Sequence, residues 1–95
     1  MFKELDPILH SQLRLSIVSM LISVDEANFN YIKDETGATS GNLSIQIKKL
    51  QDAGYIEVKK TFKNNYPNTS LSITKKGIEA FEKYVENLKN YINPK

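Results

Sequence analysis

Cysteine is absent, and histidine and arginine occur once each, as His10 and Arg14. Without cysteine there are no disulfides, thiol nucleophiles, zinc ribbons or iron–sulfur clusters. That fits a reducing cytosol, and a cytoplasmic protein is the expectation. A lone histidine supplies neither a histidine-based metal site nor a catalytic triad with a second histidine. No apolar run approaches the ~20 residues of a membrane span. The opening MFKELDPILH lacks the uninterrupted apolar core of a signal peptide. Nothing in the chain assembles a nucleophile, a base and an oxyanion site. The expectation is a non-enzyme with no cofactor, no metal and no membrane partner.

What is present is ordinary in bulk. The 95 residues and 10.8 kDa suit one domain spanning 1–95, too short for a catalytic domain plus a regulatory one. With 40% hydrophobic and 25% charged residues the composition is that of a soluble globular protein. A domain of this size buries only roughly 60–65% of its unfolded surface, so partner helices would add stability. The charge is uneven along the chain. Residues 1–36 carry three basic and six acidic side chains, and the last nineteen residues are neutral. Residues 37–76 carry Lys48, Lys49, Lys59, Lys60, Lys63, Lys75 and Lys76 against only Asp52 and Glu57. Such a basic middle is either a solvated lysine face or the footprint of a polyanion.

The pattern predicts a mostly helical α+β chain. Asp6-Pro7 can open a helix, with a break at His10 or Ser11 and Ser11 capping a second stretch. Leu13, Ile17, Met20, Leu21 and Val24 recur at helical spacing and define a buried stripe. Phe29 is expected in a very short extended segment, with Asn30 capping a helix over 31–36. Gly37 follows as a left-handed C-terminal stop. After the turn Gly37-Ala38-Thr39-Ser40, a helix over about 40–53 is capped by Thr39 or Ser40, buries Leu43, Ile47 and Leu50, and stops at Gly54. Two helices joined by so short a glycine-containing turn fit a helix-turn-helix, about 30–53. From Tyr55 the period falls to two. A first strand from Tyr55 to Phe62, polar turn residues from Lys63 to Thr69, and a second strand from Ser70 to Ile73 make a hairpin, about 55–73. Thr74 caps a last helix of about 75–92 carrying Ile78, Phe81, Val85, Leu88 and Ile92, with Pro94 ending it. A helix-turn-helix followed by a β-hairpin is a winged helix-turn-helix.

The run from Thr39 to Ile56, TSGNLSIQIKKLQDAGYI, resembles the recognition helix and following strand of MarR/ArsR-like winged-helix regulators. Leu5-Asp6-Pro7, His10-Ser11 and Arg14-Leu15 match the N-terminal pattern of the small single-domain members. Ile73-Thr74-Lys75-Lys76-Gly77 matches their approach to the last helix. The resemblance covers nearly the whole chain and implies a dimeric transcriptional regulator that binds double-stranded DNA. It departs from the pattern in having Ile45, Gln46 and lysines where such helices and wings often hold arginine or histidine.

The helix over 40–53 would lie in the major groove with its N-terminal end nearest the bases. The face opposite Leu43, Ile47 and Leu50 carries Thr39, Ser40, Gly41, Asn42, Ser44, Ile45, Gln46, Lys48 and Lys49. Asn42 and Gln46 share a face and suit adenine, and Ile45 suits a thymine methyl. Bidentate arginine–guanine pairing is the commonest specific contact, and Arg14 lies outside both elements. The expected site therefore leans to A·T. Lys48 and Lys49 would reach phosphates. In the wing Lys59, Lys60, Lys63, Asn64, Asn65 and Asn68 would reach the backbone or the adjacent minor groove; lysines there also guard a hairpin edge against aggregation.

The seam Ile78, Phe81, Val85, Leu88 and Ile92, with Tyr84 and Tyr91 beside it, either packs on its own domain or pairs with a second copy. With Phe2, Leu5, Ile8 and Leu9 at the other end, terminal helices forming a two-fold dimer interface are expected, through Phe2, Leu5, Ile8, Phe81, Val85, Leu88 and Ile92. A homodimer would read a pseudo-palindrome. His10 is expected to cap or pack, Arg14 to pair with a nearby acid, and Glu79, Glu82 and Glu86 to form a solvated face. The competing function is a winged-helix protein-interaction module without specific DNA binding, with Ile45 as the residue that favours it.

Overall fold

The computed structural model describes residues 2–93. Pro94, expected to end the last helix, lies outside them. Before α1 the chain makes a single turn rather than a helix. Asp6 turns its side chain back on the backbone, and its Oδ1 accepts from the amides of Ile8 at 2.8 Å and Leu9 at 3.4 Å. The Asp6 carbonyl takes the His10 amide at 2.8 Å. Asp6 thus caps one turn, which stops where Ser11 becomes extended to cap the next helix. It is enough to set Leu9, fully buried, into the core.

Helix α1 (Gln12–Leu21) begins at Ser11, whose hydroxyl accepts from the Arg14 amide. Its buried stripe is Ile17, Val18 and Leu21, with Leu13 and Met20 half-buried. Val24 is exposed, because the helix ends at Leu21 and the chain turns out before reaching it. Two residues of β1 (Ala27–Asn28) pair with Leu71 and Ser70. Asn28, not Asn30, caps α2 (Phe29–Thr36), accepting from the Asn30 amide at 2.8 Å, so Phe29 starts the helix instead of extending the strand. Gly37 then takes the left-handed conformation, φ 71°, where a side chain would be strained.

Helix α3 (Ser40–Asp52) is capped by Thr39, whose hydroxyl accepts from the Asn42 amide at 3.1 Å. Leu43, Ile47 and Leu50 are all buried, as their spacing predicts. The hairpin is longer and its turn tighter than expected. Strand β2 (Ile56–Lys63) pairs antiparallel with β3 (Tyr66–Ile73) from Ile56↔Ile73 out to Lys63↔Tyr66. Only Asn64 and Asn65 remain in the turn, with φ of 53° and 64°. Asparagine tolerates this left-handed pair, and the resulting turn matches the strands' twist. Tyr66 to Thr69 thereby join the strand. Pro67 is accommodated because β1 reaches only Ser70 and Leu71, leaving that edge of β3 open. The sheet order is β1-β3-β2.

Helix α4 (Lys75–Ile92) is capped by Thr74, which accepts from the Gly77 amide at 3.0 Å. Gly77 is obligatory for packing. A Cβ there would sit 2.2 Å from the Tyr55 carbonyl oxygen, so α4 can lie against the α3–β2 connection only without one. This contact fixes the helix's rotation. The side of α4 turned to the core carries Gly77, Ala80, Tyr84 and Leu88, and the expected seam is only partly covered. Four helices and a small antiparallel sheet around one apolar cluster make a mostly helical α+β winged helix.

Candidate nucleic-acid interface

With its three leucine and isoleucine anchors buried, α3 turns Ser40, Gly41, Asn42, Ser44, Ile45, Lys48 and Lys49 to the outside, and Thr39 is exposed ahead of them. Gln46 is half-buried and stands in a chain of hydrogen bonds. Its Nε2 donates to Asn42 Oδ1 at 3.0 Å, while its Oε1 accepts from the Arg14 guanidinium. Arg14 Nε in turn donates to the Ile8 carbonyl at 2.6 Å. Arg14 is therefore no partner of an acid, as its setting in an acidic segment suggests. The planar guanidinium spans a carbonyl and an amide instead. The consequence reaches the outer face of α3. With Gln46 Oε1 held from behind, its NH2 group fixes the Asn42 oxygen, and Asn42 Nδ2 is left as the outward donor.

Lys48 is paired along the helix with Asp52 at 2.8 Å, both well exposed. An exposed pair of this spacing is worth only about 0.3–0.5 kcal/mol, so a phosphate can displace it. Lys49, Lys59, Lys60 and Lys63 have no ion pair among the described residues. Alternation along β2 separates the wing lysines. Lys60 follows Ile56 and Val58 on the face toward α3, whereas Lys59 and Lys63 lie on the other face. A groove between α3 and the sheet accordingly collects Ser44, Lys48, Gln51, Val58, Lys60 and Thr69. Asn64 and Asn65 form the tip, and Asn68 is held at the wing's base by the Asn28 amide. Ser70, buried, backs the same corner.

The structure divides the residues expected at a dimer interface. Leu5, Ile8, Phe81 and Leu88 pack partly on their own core. Phe2, Val85 and Ile92 are exposed, Ile92 to 77%. Phe2 stacks on Tyr91, centroids 4.9 Å apart, and the Tyr91 hydroxyl donates to the Lys3 carbonyl at 2.7 Å. The N-terminal segment thus runs along the second half of α4, in place of the N-terminal helix expected from Asp6-Pro7. Tyr84, expected beside the seam, is the buried aromatic of α4, and its hydroxyl hydrogen-bonds with Nδ1 of the exposed His10 at 3.2 Å.

Below the N-terminal turn is a cleft of about 650 Å³ bordered by Asp6, Tyr55, Lys76, Glu79, Lys83 and Tyr84. The Tyr55 hydroxyl donates to Asp6 and its pKa is pushed up to about 12, mostly by burial and further by that carboxylate. The Lys76 ammonium stands 5.8 Å over the Tyr55 ring. Lys76, counted with the basic middle of the sequence, therefore belongs to this cleft and not to the α3–wing surface. Among the described residues no three histidine, cysteine or acidic side chains gather as a metal site, and no helix is long and apolar enough to cross a membrane.

Two features escaped the sequence. Arg14 had a signal, as the only arginine and six residues from Ile8, whose carbonyl it bonds, but its link to Gln46 is tertiary. Tyr66, outward at the wing tip, lay within the expected turn from Lys63 to Thr69, and Phe62, also outward, lay at the end of the expected first strand with no partner to mark it.

Comparison with known proteins agrees with this architecture. Residues 13–92 match the family described as winged helix DNA-binding domain. An uncharacterised protein of Methanocaldococcus jannaschii is 36% identical over 78 residues, which span 82% of this chain and 85% of that protein. A Pyrococcus horikoshii OT3 structure, solved as a transcriptional regulator homologue, superposes with a TM-score of 0.84 at 30% identity, covering 90% of this chain and 85% of its own. A Porphyromonas gingivalis W83 protein described as a MarR-family transcriptional regulator shares the fold, with a TM-score of 0.71 at 20% identity over 100% of this chain and 98% of that one. This family and fold are those of transcriptional regulators and not of enzymes. With its capped helix-turn-helix, two-residue wing turn and glycine-seated last helix, the chain belongs to the winged helix DNA-binding domain family.

Proposed function

We propose that the protein is a homodimeric, cytoplasmic transcriptional regulator that binds double-stranded DNA in a sequence-specific way. The observation that carries this reading is the outer face of α3, polar from Thr39 to Lys49 apart from Ile45, beside a wing with no acidic residue between Glu57 and Glu79. In this account α3 lies in the major groove. Thr39, Ser40, Gly41 and Ser44 approach the backbone or base edges, and Asn42 with Gln46 meets adenine. Ile45 touches a thymine methyl. Lys48, Lys49, Lys59, Lys60, Lys63, Asn64 and Asn65 contact phosphates or the neighbouring minor groove, positioning the protein without specifying sequence.

The dimer rests on Val85 and Ile92, with Phe2, Leu5, Ile8, Phe81 and Leu88 around them. Its two recognition helices read a pseudo-palindrome leaning to A·T, with half-sites ~34–36 Å apart. The test is titration against a fluorescent duplex pool at several salt concentrations, followed by sequencing of the bound fraction. The reading expects a slope near −0.9 log units per log unit of salt for each phosphate contacted, and an enriched palindrome. Lys59→Ala with Lys60→Ala should weaken all sequences alike and flatten that slope by about 1.8. A second reading, a protein-docking module, is favoured by Ile45, 57% exposed on the same face. Absence of binding at low salt would select it.

A further inference from the structure

The wing ends in side chains that a solvated hairpin does not need. Phe62 is 78% exposed and Tyr66 74%, on either side of the Asn64–Asn65 turn. Phe62 is registered against Pro67, and cross-strand partners share a face, so the two make one apolar edge. Alternation puts this edge on the face of β2 that carries Val58 and Lys60, the face toward α3. Tyr66, paired with Lys63, occupies the opposite face of the tip.

Three observations identify what covers this edge. Lys60 shares the face of this edge, Lys59 and Lys63 lie on the other face of the same strand, and no acid occurs between Glu57 and Glu79, so the partner is anionic. The edge continues the groove lined by Ser44, Lys48 and Lys60, so the partner also meets α3. Phe62 projects close to the two-residue turn, and a single aromatic side chain, unlike the two-stranded ribbon itself, fits a minor groove about 6 Å wide. An anion that presents a narrow, partly apolar slot beside a helix-sized groove is duplex DNA.

We propose that Phe62, backed by Pro67, is a wedge that enters the minor groove next to the site of α3 and partly unstacks one base step. Proteins that insert apolar side chains in this way kink the duplex toward the major groove. Pyrimidine–purine steps yield most easily. The wedge would therefore add a preference for a TpA or CpA step at a position where no hydrogen bond reads the bases. The proposal rests on the DNA-binding reading above.

The test uses the most enriched duplex from the pool selection, with 2-aminopurine replacing each adenine in turn. Its fluorescence rises when the base loses its stacking partner. Binding of the full chain should raise fluorescence at least threefold at a single step outside the α3 contact. Phe62→Ala should abolish most of that rise while anisotropy still reports binding within about tenfold of wild type, and Phe62→Leu should retain it. Phe62 is exposed, so circular dichroism of the variants should match wild type. If wild type binds but no position brightens, or if Phe62→Ala brightens equally, the wedge is overturned and the DNA-binding reading stands. If no duplex is retained at low salt, both fall together.

Discussion

Helices α3 and α4 are both amphipathic, but they spend their apolar residues differently. In α3 all three apolar anchors, Leu43, Ile47 and Leu50, disappear into the core, leaving Ile45 alone outside. In α4 the core takes Gly77 and Tyr84 fully and Phe81 and Leu88 in part, and Val85, Tyr91 and Ile92 stay in solvent. A helix whose apolar side is used up presents only hydrogen-bonding chemistry to a partner. A helix with apolar residues left over presents area, which suits a second copy of the same surface. On the proposed function the two helices serve two partners, DNA for α3 and another protomer for α4.

The comparison breaks most visibly if α4 is made polar. Val85→Glu with Ile92→Glu would place four carboxylates in a two-fold interface. Like charges there cost several kcal/mol, so sedimentation should show a dimer dissociation constant raised at least a hundredfold, with palindrome binding lost and a lowered thermal midpoint that no longer depends on protein concentration. Gly77→Ala attacks the seat of α4 instead. The new methyl meets a carbonyl oxygen that cannot move aside, and overpacking of this kind costs about 1–3 kcal/mol, measurable by urea denaturation.

On α3, Arg14→Ala leaves the outer face unchanged in composition but frees Gln46. The expected loss is about 1 kcal/mol of discrimination at one base pair, with the salt slope unaltered. Competition with single-base variants of the enriched duplex reads it, and an equal loss on every variant would assign Arg14 to folding alone. The smallest effect is at alkaline pH. The Tyr55 hydroxyl is held protonated in the fold up to about pH 12, against an ordinary value of 10. Its contribution to stability is therefore complete below pH 10 and lost as pH rises toward 12. Tyr55→Phe should flatten that part of the thermal midpoint–pH curve relative to wild type.

What could be read from the sequence was local. Thr39, Thr74 and Ser11 announce helix starts through side chains that bond the next turn, and Gly37 and Gly54 announce stops through positive φ. The burial of Leu43, Ile47 and Leu50 follows from spacing because only one face of α3 is apolar. The inner face of α4 did not follow, because two stripes compete. Ile78, Phe81, Val85, Leu88 and Ile92 form the more apolar one, but the contact of Gly77 with Tyr55 turns the helix toward Tyr84. The N-terminal turn stays a single turn because Ser11, extended at φ −152° and ψ 129° to cap α1, ends what Asp6 opens. The candidate site was legible as far as residue identity on α3. The hydrogen bonds linking Arg14, Gln46 and Asn42 span 32 positions, and no local pattern encodes them.

The most direct measurement is photo-crosslinking of the full chain with benzoylphenylalanine placed at position 45 or position 85, in the presence of the enriched duplex. The account predicts adducts with DNA from position 45, and adducts with a second copy of the chain from position 85. Protein adducts from position 45 with none to DNA would contradict it, and would make α3 a docking surface for another protein.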